Sequence, residues 1–100
     1  MHISQTYTYW VTKTIKYIIS PKVFTKKINN KTLILKEGED FYRELNEAAS
    51  LIWESIRKKK NITSIVDLFM KTYTTDENTA KKDIKYFIEN YVKLGLLIKG

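Results

Sequence analysis

The chain has no cysteine, a single histidine, a single proline and three glycines in 100 residues, and each scarcity removes a class of chemistry. Without cysteine there is neither a disulfide nor a thiolate metal site, a composition suited to a reducing interior. His2 stands beside the terminus with no orienting partner near it in sequence, a poor position for a metal ligand or general base. Gly38, Gly95 and Gly100 are too few and too scattered to make a phosphate-cradling loop. No apolar run approaches the ~20 residues that cross a bilayer. Residues 1–4 do not open a secretory signal either, so the expectation is a cytoplasmic protein with no membrane partner.

Acid is also missing, but only from the front. Residues 1–36 hold seven lysines and no acidic residue, whereas residues 37–100 set eleven basic against eleven acidic side chains, so the whole net charge of +7 belongs to the first third. That asymmetry has two readings: an acidic partner near the N-terminal part, or solubility and strand edges guarded by lysine.

What is present is a chain of 43% hydrophobic residues, rich in aromatics and long enough for one small core. Its organising stretch is residues 45–56. Ala49, Ile52, Trp53 and Ile56 recur at i, i+3, i+4 and i+7, the stripe of a helix buried on one face. Asn46 suits the N-cap and Glu47 the positive end of the helix dipole. Ahead of it, residues 23–28, 32–36 and 41–45 read as strands separated by turns at 29–31 and 37–40. Turns this short demand antiparallel neighbours, so the unit is a three-stranded meander whose last strand is an edge. Behind it, Val66, Phe69, Met70 and Tyr73 give a short second helix with Thr63 as its N-cap, ending near Thr74. Thr75 or Asp76 caps a third helix with the stripe Ala80, Ile84, Phe87, Ile88 and Tyr91, closed by Gly95 with Leu96 against Tyr91. The tail from Leu97 is apolar enough to pack back on the domain. The fold class is therefore α+β, an N-terminal antiparallel sheet followed by three helices.

Residues 1–21 read as an extension and residues 22–100 as the domain. Within the extension, residues 6–19 have the β-branched and aromatic content of a strand, and Ser20-Pro21 punctuates it. This strand has three placements: in the main sheet, paired with a second copy in a homodimer, or over a groove. Trp10 belongs either to a partner contact or to the packed side of that strand.

No enzyme constellation is visible: no nucleophile beside a base, no paired carboxylates and no metal cluster. Asp76, Glu77, Asp83 and Glu89 are spread around one helix, and no cofactor is expected. The chain reads as a binder. A DNA-binding winged-helix regulator is the rival, with Lys81, Lys82 and Lys85 on the recognition helix. Against it, Asp76 and Glu77 occupy the turn that would approach the bases, and the helix balances its lysines with acids, which argues against a nucleic-acid partner.

Tyr42, the Leu45-Asn46 entry to an Ile52-Trp53 helix, Ile62-Thr63-Ser64-Ile65, Lys82-Asp83-Ile84, Phe87-Ile88 and the closing Leu94-Gly95-Leu96-Leu97 together resemble the pyrroloquinoline quinone biosynthesis protein PqqD. PqqD belongs with the RiPP recognition elements, domains that serve ribosomally made, post-translationally modified peptides. The resemblance implies a winged-helix-like fold and a non-catalytic function: holding the leader of a precursor peptide and presenting it to a maturation enzyme, a radical SAM enzyme or a lasso-peptide protease or cyclase. It implies a leader added as a strand beside Tyr42, Arg43, Glu44 and Leu45. The opposite wall would come from Lys81, Asp83, Ile84, Lys85, Phe87 and Ile88, and either flank of that helix could face the groove. The chain departs from the family at Lys58-Lys59-Lys60-Asn61, where a glycine is common, and in its longer front end.

Overall fold

Two adjacent asparagines start the sheet. Asn29 and Asn30 have φ of 52° and 65°, the pair of left-handed residues that a two-residue type I′ turn requires and that asparagine tolerates well. The turn joins β2 (Val23–Ile28) to β3 (Lys31–Lys36), with Ile28 opposite Lys31. Gly38, at φ 94°, then turns the chain into β4 (Arg43–Leu45). The resulting sheet has the order β2-β3-β4, all antiparallel, as the sequence requires. β4 is shorter than expected, because Phe41 and Tyr42 precede the ladder.

The computed structural model describes residues 16–100. His2, Trp10 and residues 6–15 of the expected first strand lie outside the described residues. The remainder of that strand, β1 (Tyr17–Ile19), does not join the meander: it pairs antiparallel with β5 (Leu97–Lys99) in a separate two-stranded sheet. The apolar tail thus packs back as a strand, with Leu97 fully buried.

Three helices fill the space between. α1 (Glu47–Arg57) is capped by Asn46, whose Oδ1 accepts from Ala49 N at 2.8 Å. It ends in a Schellman closure: Lys60 N donates to Ser55 O and Lys59 N to Ile56 O, with Lys59 itself left-handed at φ 65°. Lys58-Lys59-Lys60-Asn61 thus closes α1 with a lysine, not a glycine, in the left-handed position. α2 (Ile62–Tyr73) is capped by Asn61, not Thr63; Asn61 Oδ1 accepts from Ser64 N at 2.9 Å. Moving the cap back lets Ile62 and Ile65 join the core and makes α2 as long as α1. α3 (Glu77–Lys93) starts at the N-cap Asp76 and closes through Gly95, where Leu96 N donates to Tyr91 O and Gly95 N to Val92 O.

Trp53 is the joint of the structure. Its ring is fully buried, lies edge-on to Tyr91 at 6.0 Å, and donates its Nε1–H to Thr25 Oγ1 at 3.0 Å. One side chain of α1 thereby fixes both β2 and α3, and its polar atom is satisfied inside the core.

Candidate functional site

Bonded and non-bonded pairs alternate along an antiparallel ladder, and a two-residue hairpin closes on a bonded pair. Counting from Ile28–Lys31, the residues of β3 that face β4 are Thr32 and Ile34, opposite Leu45 and Arg43. The amide and carbonyl of Glu44 therefore point away from β3. Among the described residues no strand pairs with that outer edge. An edge of this kind can accept another extended chain through backbone hydrogen bonds alone.

From the end of β4 the chain leads, through Asn46, into a groove of about 520 Å3. Ala48, Ala49 and Ile52 of α1 form one wall and Phe69 of α2 lies with them; α3 supplies the other wall with Lys82, Asp83, Tyr86, Phe87, Asn90 and Tyr91. Phe87 and Tyr91 stack at 4.0 Å. Tyr86 is 74% exposed, an aromatic ring on the rim with little protein cover. Burial pushes the Tyr91 phenol above its usual range and the charge of Arg43 opposes that shift, so the group is neutral at physiological pH.

The residues singled out from the sequence are distributed unevenly about this groove. Asp83 and Phe87 line it. Ile84 and Ile88 are fully buried in the core behind it, as is Leu45. Lys81 and Lys85 lie on the other flank of α3, in ion pairs with Glu77 at 2.8 Å and Glu89 at 2.7 Å. On β4, Tyr42 is exposed, Glu44 pairs with Lys31 on the outer face at 3.3 Å, and Arg43 faces inward toward Tyr91. Arg43 is held by Glu39 at 2.8 Å and stands 5.1 Å from the centre of the Phe41 ring. The α1 wall, Phe69, Lys82, Tyr86, Asn90 and Tyr91 were missed as site residues. The signal for α3 was a stripe at 83, 86/87 and 90/91, shifted one step from the core stripe; Ala48 and Ala49 gave none beyond their small size.

Among the described residues no three His, Cys, Asp or Glu side chains gather as a metal site, and no helix is long and apolar enough to cross a membrane. The groove offers apolar surface, two charges and a strand edge: recognition of an extended, partly apolar ligand is what such an arrangement can do.

These features define a class of small α+β domains in which an antiparallel meander, its last strand an open edge, runs into three helices beside an apolar groove. The chain belongs to the PqqD family, whose model, described as coenzyme PQQ synthesis protein D, matches residues 31–97. Two solved structures share the fold. The structure of TbiB1 in complex with the TbiA(beta) leader peptide is 26% identical, with a TM-score of 0.75 over 80% of this chain and 93% of that one. That of a lasso peptide synthetase B1 complexed with its leader peptide is 16% identical, with a TM-score of 0.76 over 83% and 98%. No curated protein matches the chain significantly. Family and fold agree with the resemblance read from the sequence.

Proposed function

We propose that this protein binds the leader segment of a ribosomally made precursor peptide and presents it to a separate modifying enzyme or processing protease, doing no chemistry itself. The observation that carries this reading is the bare outer edge of β4 running into an apolar groove beside α3. A leader added as a strand would pair its backbone with the outward amide and carbonyl of Glu44. Its apolar side chains would enter the space over Ala49, Ile52, Phe87 and Tyr91, where most of the affinity would arise. Tyr42 lies exposed just ahead of β4, whereas Arg43 and Leu45, expected from the sequence as ladder partners, turn their amides and carbonyls to β3 and offer the leader no backbone pairing; Asp83 and Lys82 stand at the rim. The complex of TbiB1 with a leader peptide supports the reading and favours a lasso-peptide protease or cyclase over a radical SAM enzyme as the downstream partner. A cytoplasmic location follows from that role.

The test is titration with the leader encoded by the neighbouring precursor gene, followed by amide chemical shifts. Residues 42–45 and the Asp83–Phe87–Tyr91 face of α3 are expected to move. Shifts confined to a distant surface would remove the assignment.

A further inference from the structure

An antiparallel sheet with one face on a core ordinarily carries polar side chains on the other. β2 and β3 do not. Val23, Thr25, Thr32 and Ile34 turn inward, so the register turns Phe24, Lys26 and Ile28 outward on β2 and Lys31, Leu33 and Leu35 outward on β3. Phe24 is 60% exposed and Ile28 43% exposed, while Leu33 and Leu35 are half-buried between them. Phe24 faces Leu35 across the ladder, and Leu33 lies between Lys26 and Glu44. The four apolar side chains thus gather around Lys26 on the face opposite Trp53, and none of them lines the groove. A contiguous apolar patch of this kind on a small domain marks an interaction surface.

We propose that this outer sheet face docks a folded protein whose contact surface combines apolar side chains with carboxylates, while the groove is left to the peptide. The charge around the patch selects that partner. Lys26 stands within the patch, between Phe24 and Ile28, Lys22 is exposed just ahead of β2, and residues 16–36 contain no acidic side chain. The carboxylate on the β4 side, Glu44, is paired with Lys31. A second copy of this chain fits poorly, because a two-fold contact through the outer face of β2 would set Lys26 against its own equivalent. A lipid surface fits less well than a protein: Glu44 beside Leu33 would meet phosphate, and Leu33 and Leu35 are half-buried, leaving only Phe24 and Ile28 to insert.

The proposal goes beyond peptide binding and takes from that reading only its probe, the purified modifying enzyme or protease encoded beside this chain's gene. Its affinity for the full chain, for the double variant Phe24→Ser, Ile28→Thr, and for Lys26→Glu is measured by biolayer interferometry, with and without leader. Leader affinity and melting are measured on the same samples. The double variant should bind the enzyme at least about tenfold more weakly and Lys26→Glu should lose affinity most at low salt, with leader affinity and melting unchanged. Variants that bind the enzyme like the wild type would overturn the proposal, as would a wild type that forms no complex with it. A loss seen only in self-association by sedimentation, or only in binding to vesicles with phosphatidylglycerol, would overturn it in favour of those occupants. Failure of the wild type to bind leader would instead remove the peptide reading and leave the enzyme measurement standing.

Discussion

Two left-handed residues close helices here by the same hydrogen bonds, one a lysine and one a glycine, and they should respond to substitution in opposite senses. Lys59 holds φ 65° against the steric preference of its Cβ, so Lys59→Gly should raise stability by about 0.5–1 kcal/mol once the greater freedom of glycine in the unfolded chain is deducted. Gly95 has φ 76°, and a Cβ there would stand 2.8 Å from Lys36 Nζ, which donates to Leu94 O. Gly95→Ala should therefore cost about 1–2 kcal/mol and displace that lysine. Urea midpoints of both variants check the pair. A third residue gives a pH signature. Asp76 is held below the usual carboxylate range by its hydrogen bonds with Thr79, chiefly the backbone N–H at 2.7 Å. Because the folded value is depressed, the contribution of this cap is complete above the unfolded carboxylate range, near about pH 4, and is lost as pH falls through the lower folded value. Asp76→Asn keeps an acceptor that does not ionise, so melting temperature against pH should be flatter on the acid side. At this scale the sequence was legible where one residue type has one physical use, as at Asn46 and Gly95, and left the cap of α3 open between Thr75 and Asp76. It was not legible where a general-purpose residue takes the special role, as at Lys59, or where two cap residues compete, as at Asn61 and Thr63.

Among the elements, β4 carries the strongest prediction, because its backbone and its side chains face different tasks. Glu44 presents its amide to the bare edge while its carboxylate lies on the outer face against Lys31. Glu44→Pro removes the donor at an edge position where proline is tolerated, and should weaken leader binding at least about tenfold with the fold retained. Glu44→Ala keeps the amide and should bind within about twofold of the wild type, since an exposed ion pair contributes little. Isothermal titration with leader separates the two. The clasp of β1 on β5 is the other informative element. Leu97 is fully buried there, and Leu97→Ala should destabilise by about 2–5 kcal/mol, read from urea unfolding. The meander was readable because short turns leave antiparallel pairing as the sole option, and α1 and α3 because their stripes are continuous. The clasp was hidden, since pairing between positions eighty residues apart leaves no local pattern, and either end could as well have joined the meander.

For the molecule as a whole, charge placement discriminates between functions that the fold alone permits. The helix pair α2–α3 would suit a DNA reader, yet Lys81 and Lys85 are engaged by Glu77 and Glu89 on their own helix. Gel-shift assays with duplex DNA should therefore show no steeply salt-dependent complex, and neutralising Lys81, Lys82 and Lys85 should change nothing in them. The groove itself was only half legible for a related reason. A helix stripe reports which face is buried, but α3 uses two adjacent faces, one for the core and one for the groove, and periodicity alone does not say which flank stays open. That choice is made in three dimensions, by where α1 lays Ala48, Ala49 and Ile52.

Because Gly100 N donates to Lys16 O at 3.0 Å, the described chain enters and leaves the fold at one point. That point lies beside the Ile88 and Val92 flank of α3, whereas the peptide groove uses the Asp83 and Phe87 flank. A few added residues could join the two ends into a ring, and the same geometry would let the domain sit as a cassette inside a loop of a larger enzyme with its groove undisturbed.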